Sequence, residues 1–164
     1  MVGRIRNIRD LLHHEVQGLY SAEKLISAGL PRLIDHARSR ELKQAFERHL
    51  HETRRQLTRL EEVADLLEIN VEGDKNLGIA GIMAGGEQLM HQDATPEAMD
   101  AALICGAQKV EHYEIASYGT AVYLAQELGL DQVVALLAGI LTEEKRASEV
   151  LNHLAKNLVN PLAE

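Results

Sequence analysis

The feature that most constrains this chain is a pair of acids, Glu111 and Glu114, one helical turn apart within QKVEHYEIASYG, Gln108 to Gly119. Around them Leu103, Ala107, Val110, Ala121, Ala125 and Leu128 recur at helical spacing as one apolar stripe. Glu114 falls near the centre of that stripe and Glu111 at its edge. Burying an ionised carboxylate without a partner costs several kcal/mol, so the rest of the chain has to supply a counter-charge or a cation.

What it supplies is more acids at the same depth. From about Ile5 to Ala37, apolar residues at Ile5, Ile8, Leu12, Val16, Leu19, Ile26, Leu30 and Leu33 mark a first long helix, with Glu23 facing inward. Pro31 predicts a kink or break near Ser27 to Leu30. Ser39 reads as the cap of a second helix running to about Ile69. Its inward stripe is apolar at both ends and polar in the middle, where His49, Glu52, Thr53 and Gln56 lie. Thr95 followed by Pro96 starts the third helix, which Gly129 ends near Leu128. Asp131 is expected to cap the fourth, which runs to about Val159 with Pro161 beyond its end. Glu144 is at the centre of that helix's stripe.

Residues 70 to 94 between the second and third helices are punctuated by glycines, with room for a short helix in LGIAGIM and EQLM. A helix of ~30 residues spans about 45 Å, and a connection this long can cross that distance. The helices on either side can therefore run parallel. Two helix pairs joined by a long crossover predict an all-α fold, a ferritin-like four-helix bundle. One domain, residues 1–164, is expected from the length. The composition agrees: 46% of residues are hydrophobic but only 3% aromatic, so the core is built from aliphatic side chains that suit helix packing.

Residues midway along their helices stay at mid-height whichever way each helix runs. Glu23, Glu52, Glu111, Glu114 and Glu144 are therefore expected in one buried layer, with His49, one turn before Glu52, as the nitrogen donor. Two divalent ions bridged by carboxylates would neutralise such a layer, and oxygen donors with an imidazole suit iron or manganese. The competing reading pairs the acids internally with Arg55 or Lys109. Tyr118 faces inward, where it can hydrogen-bond a carboxylate or any other acceptor. His112 is expected on the opposite side from Glu114, and His13, His14, His51, His153 and Cys105 are expected to face outward.

With 17 basic against 25 acidic residues the net charge is -8, which argues against nucleic acid as a partner. The single cysteine excludes an intramolecular disulfide, and the N-terminal residues lack the apolar run of a signal peptide. A cytoplasmic location is the expectation. No segment reaches the ~18 apolar residues of a membrane span.

Through YSAEKLI (Tyr20 to Ile26), AFERHLHETRRQLTRLE (Ala45 to Glu61), DAALICGAQKVEHYEIASYG (Asp100 to Gly119) and LTEEK (Leu141 to Lys145), nearly the whole chain resembles the YciF/YciE family of bacterial stress-associated, ferritin-like proteins. The resemblance implies a ferritin-like fold, a homodimer and a dinuclear metal site. It is similar also to rubrerythrin in drawing two glutamates one turn apart from the third helix. Ferritin-like oxidases carry Glu-x-x-His on the second and fourth helices; here Arg55 and Ala147 stand at the histidine positions. The expected function is a metal-binding stress protein that oxidises Fe(II) with peroxide or oxygen if it is redox-active. Glu23 and Glu144 would be terminal ligands, Glu52 and Glu114 would bridge or flank, and Glu111 and His49 would complete the set. The alternative is a structural or interaction protein without catalytic activity, in which the polar layer sets helix register. A storage cage is the weaker third reading.

Overall fold

The computed structural model describes residues 5–163, and their regular structure is helical throughout. Four long helices, α1 (Ile8–His36), α2 (Arg40–Leu66), α4 (Pro96–Glu127) and α5 (Asp131–Leu154), are joined by a shorter α3 (Leu77–Met90) and followed by a π-helical turn (Ala155–Val159) and a last α-turn, α6 (Asn160–Leu162). Side-chain caps set most of the starts. Asn7, Ser39, Asn76 and Thr95 each accept a hydrogen bond from the backbone N–H three residues on, satisfying a donor that the first turn would otherwise leave free.

Three local expectations are corrected. Pro31 does not break α1, which continues to His36. Its ring is on the exposed side while Ile26 and Leu30 stay buried, so the missing N–H falls on the solvent face and packing holds the helix. Asp131 is the first helical residue of α5 rather than its cap; Leu130 holds the cap position and offers no side-chain acceptor. At the other end α5 gives way at Ala155 to the π-turn, and Pro161 lies inside α6 rather than beyond the helical run.

Two of the long helices, α2 and α4, end alike. After α4, Gly129 adopts a left-handed φ of 66°, with Leu130 N–H reaching Ala125 O at 3.0 Å and Gly129 N–H reaching Gln126 O at 3.0 Å. After α2 the same pair of bonds runs from Ile69 to Ala64 and from Glu68 to Asp65, but the left-handed position, φ 56°, is occupied by Glu68.

Two apolar clusters give the chain directions. One gathers Leu12, Val16 and Leu19 from the start of α1, Leu60 and Val63 from the end of α2, Ala121 and Val122 from the end of α4, and Val133 and Leu137 from the start of α5. The other collects the opposite halves, with Ile26, Leu42, Leu103 and Leu151, and is closed over by Ile79 of α3. Hence α1 and α5 run one way and α2 and α4 the other. The connection after α2 carries the chain back along the molecule's length, with α3 on α4 and α1. Each long helix packs against two others, α1 and α5 each contacting both α2 and α4.

Two polar clips fix this route. Asp100, buried at the start of α4, accepts 2.7 Å hydrogen bonds from both Arg38 N–H and Ser39 N–H, tying the α1–α2 turn to α4. Asn76 donates from its side chain to Gly18 O of α1 and accepts from the Tyr113 hydroxyl of α4, each at 2.9 Å.

Candidate metal centre

Between the two apolar clusters lies a slab of polar side chains. α1 contributes Glu23; α2 His49, Thr53 and Gln56; α4 Glu111, Glu114 and Tyr118; α5 Glu144 and Ser148; all are buried. Helical periodicity explains their orientation: each continues its helix's apolar stripe through the middle turns. Among them His49, Glu111, Glu114 and Glu144 each bring a donor atom into a group in which all lie within 4.8 Å of one another.

The electrostatics follow from burial. Desolvation pushes the carboxyls of Glu23, Glu111 and Glu114 well above the usual range, and mutual repulsion within the layer raises them further, Glu144 acting on Glu23 and Glu111, and Glu23 on Glu114. Glu144 is raised by burial but less strongly, because His49 and hydrogen bonding within the layer favour its anion. Burial lowers the His49 pKa, keeping the imidazole neutral near pH 7 with lone-pair capacity for a cation. The Tyr118 hydroxyl donates to Glu23 Oε1 at 2.6 Å, and burial, with Glu23 beside it, holds that phenol protonated.

Six buried atoms of these four residues make no hydrogen bond, namely both imidazole nitrogens of His49, Glu111 Oε2, both Glu114 oxygens and Glu144 Oε2, and Thr53 Oγ1 and Gln56 Oε1 in the same slab make none either. His49 Nε2 approaches Glu111 Oε1 to 3.3 Å without the alignment of a hydrogen bond, and a neutral imidazole makes that contact non-ionic. Convergent oxygens with one imidazole fit a divalent cation such as iron or manganese, which would engage one donor atom from each of His49, Glu111, Glu114 and Glu144.

Not every expected residue joins the group. Glu23 adjoins it through Glu114 and is held by Tyr118. Glu52 lies at its edge, with its side chain 15% exposed and its Oε1 bonded to Arg146 at 2.6 Å. Arg55 and Lys109 are exposed; the arginines that do pair with acids here are Arg146, with Glu52, and Arg59, with Glu143. His14, His51, His112, His153 and Cys105 are exposed, and His13 is half-buried.

Other functional partners were hidden from the sequence. Gln56 was legible as an inward polar residue, but not as the amide donor to both Glu144 Oε1 and Glu143 Oε2, the latter at 3.0 Å. Ser148 and Gln108 lock α5 to α4, with Ser148 Oγ donating to Gln108 Oε1 at 2.8 Å and Gln108 Nε2 donating to Ser148 O at 2.9 Å. Neither partner carries a local signal, because the bond depends on how two helices forty residues apart are set against each other.

Comparison with known proteins gives consistent matches. Residues 7–164 match a family model described as a domain of unknown function, DUF892. Protein YciF of Escherichia coli (strain K12) is 38% identical over 161 residues, spanning 98% of this chain and 97% of that protein. The crystal structure of the E. coli stress protein YciF superposes with a TM-score of 0.91 at 38% identity, over 95% of this chain and 99% of that one. YcfI of Rhodopseudomonas palustris, provisionally described as a structural protein, superposes with a TM-score of 0.89 at 38% identity, over 93% and 97% of the two chains.

Proposed function

The chain belongs to the DUF892 family and is a homologue of YciF, and on that premise we propose that it is a stress-associated metalloprotein with a dinuclear iron or manganese carboxylate site. The observation that carries this reading is the group of His49, Glu111, Glu114 and Glu144, whose donor atoms lie within 4.8 Å of one another and are largely unpartnered. We read the fold as a ferritin-like four-helix bundle of one domain with a long crossover, because α2 and α4 run in the same direction on either side of the connection that carries α3. A cytoplasmic homodimer belongs to the same proposal.

His49, Glu111, Glu114 and Glu144 would hold one ion, and Glu23 and Glu52 would complete a second site, Glu52 by leaving Arg146. A bound pair of such ions supplies one-electron redox chemistry, here the oxidation of Fe(II) by peroxide or oxygen. The chain's own contribution is positional. Gln56 fixes the direction of the Glu144 carboxylate, and Tyr118 keeps a proton directed at Glu23 Oε1. Metal analysis by mass spectrometry, on protein purified without chelator and again after aerobic Fe(II) loading, tests the reading. About two ions per chain are expected after desalting, and Glu114→Ala is expected to lose at least half of them. Full retention by that variant would remove Glu114 from the site, and no retention in the parent protein would end the metal reading.

The second reading is a structural protein whose polar layer sets helix register. The hydrogen bonds from Tyr118 to Glu23 and from Gln56 to Glu144 favour it, since both cross between helices at mid-height. It leads if no metal is retained. Light scattering on a sizing column distinguishes the dimer from a monomer or a larger assembly.

A further inference from the structure

A cavity of about 370 Å³ lies in the half of the interior on the α3 side of the polar layer and opens at the surface between α2 and α5. Its walls are Ile26, Leu30, Phe46, Val110 and Leu151. Ala45, Ala107 and Ala147 keep it open, since small side chains there leave a space that larger ones would fill. Its inner end is formed by buried His49 and Glu111, and its outer end by Arg48, Glu52 and Arg146.

The two ends differ in charge chemistry. The lysines and arginines that line the cavity are Arg48 and Arg146, both at its outer end, so the inner end gives an anion no fixed counter-charge. At the mouth, Arg146 is paired with Glu52, whereas Arg48 is exposed and has no carboxylate partner among the described residues. A shallower concavity of about 400 Å³ adjoins the mouth and shares Arg48 and Arg146; it brings in His153, Glu41 and Glu149. Of these acids, Glu41 accepts a hydrogen bond from the Ser39 hydroxyl at 3.1 Å.

Peroxide or oxygen would need only a small part of such a space. An apolar cavity of about 150 Å³ takes up one benzene, so this one has room for roughly twice that number of carbons. We propose that it binds a medium-chain organic anion, a carboxylate on an apolar chain of about eight to twelve carbons, with the chain inside and the head group at Arg48. The chain lies along Phe46 and Leu151 with its far end toward His49 and Glu111. Such binding requires no metal, so its failure leaves the metal centre standing, and loss of the metal centre leaves it standing.

The test is calorimetric titration of the full chain with decanoate below its micelle concentration, beside decylammonium and decanol. Saturable binding of one decanoate per chain is expected, with decylammonium weaker by about tenfold or more. Ala147→Leu, which projects three further carbons into the cavity, is expected to weaken binding. Arg48→Glu, at an exposed position that leaves the fold intact, is expected to weaken decanoate about tenfold and to narrow its advantage over decylammonium. No saturable binding of decanoate, or decanoate binding undiminished in Arg48→Glu, would overturn the proposal, as would equal affinity for all three probes. Circular dichroism of Ala147→Leu checks its folding, and the arginine variant decides the matter if the alanine variant is unfolded.

Discussion

A carboxyl group whose pKa is raised in the folded chain binds its proton more tightly there than in the unfolded chain, and this gives Glu23, Glu111 and Glu114 a defined effect on stability. Their contribution is complete below the unfolded value of about 4.3 and is lost as pH rises through the folded values. For metal-free protein the melting temperature is therefore expected to fall across the pH interval above that unfolded value, and Glu114→Gln, which keeps the shape without the charge, to flatten that fall. A divalent ion added at about pH 8 is expected to restore the loss, since it neutralises the same carboxylates. Melting curves with and without chelator measure both effects; a melting temperature that climbs across that pH interval contradicts the assignment. At this scale the sequence was a good guide to Glu23, His49, Glu111, Glu114 and Glu144, because inward direction follows from helical phase alone. Glu52 was not decided by phase: it lies at the edge of its stripe, and Arg146, ninety-four residues away, draws it outward.

Helix boundaries show the same division between local and distant causes. Ser39 and Thr95 act through hydrogen bonds within three residues, so their caps were readable. Whether Pro31 breaks α1 depended on which side of the helix its ring faced, and that was settled by packing against other elements. Asp100 carried no local sign of its role, because the amides it binds belong to the turn sixty residues earlier. Glu68 offers the clearest test at this scale. It holds a left-handed φ of 56° in the end motif where Gly129 stands in the equivalent place after α4. Its side chain is exposed and makes no hydrogen bond or ion pair among the described residues, so Glu68→Gly is expected to stabilise the protein by about 0.5–1 kcal/mol. Urea unfolding measures this, and a destabilised variant would mean that the glutamate has a role its backbone geometry does not reveal.

For the molecule as a whole, the helical periodicity and the length of residues 70 to 94 were enough to expect all-helical structure and a connection able to reverse the usual alternation of directions. The directions themselves came from which helix halves share an apolar cluster. The cavity beside the layer could not be read in advance, since Ala45, Ala107 and Ala147 become neighbours only when three helices are assembled. A layer of buried acids is a poor stabiliser, and replacing buried charges by apolar groups of similar volume often raises stability by about 1–4 kcal/mol. Joint replacement of Glu23, Glu111, Glu114 and Glu144 by leucine is accordingly expected to stabilise the metal-free chain while removing metal retention. Denaturant unfolding paired with metal analysis reads both, and a less stable variant would show the acids to be part of what holds the fold. The slab also divides the interior into two apolar halves, each built from half of every long helix. Cooperative opening in the metal-free chain should therefore respect height rather than helix: backbone amides of Leu12, Leu60, Val122 and Leu137 should exchange with solvent deuterium as one group, and those of Ile26, Leu42, Leu103 and Leu151 as another.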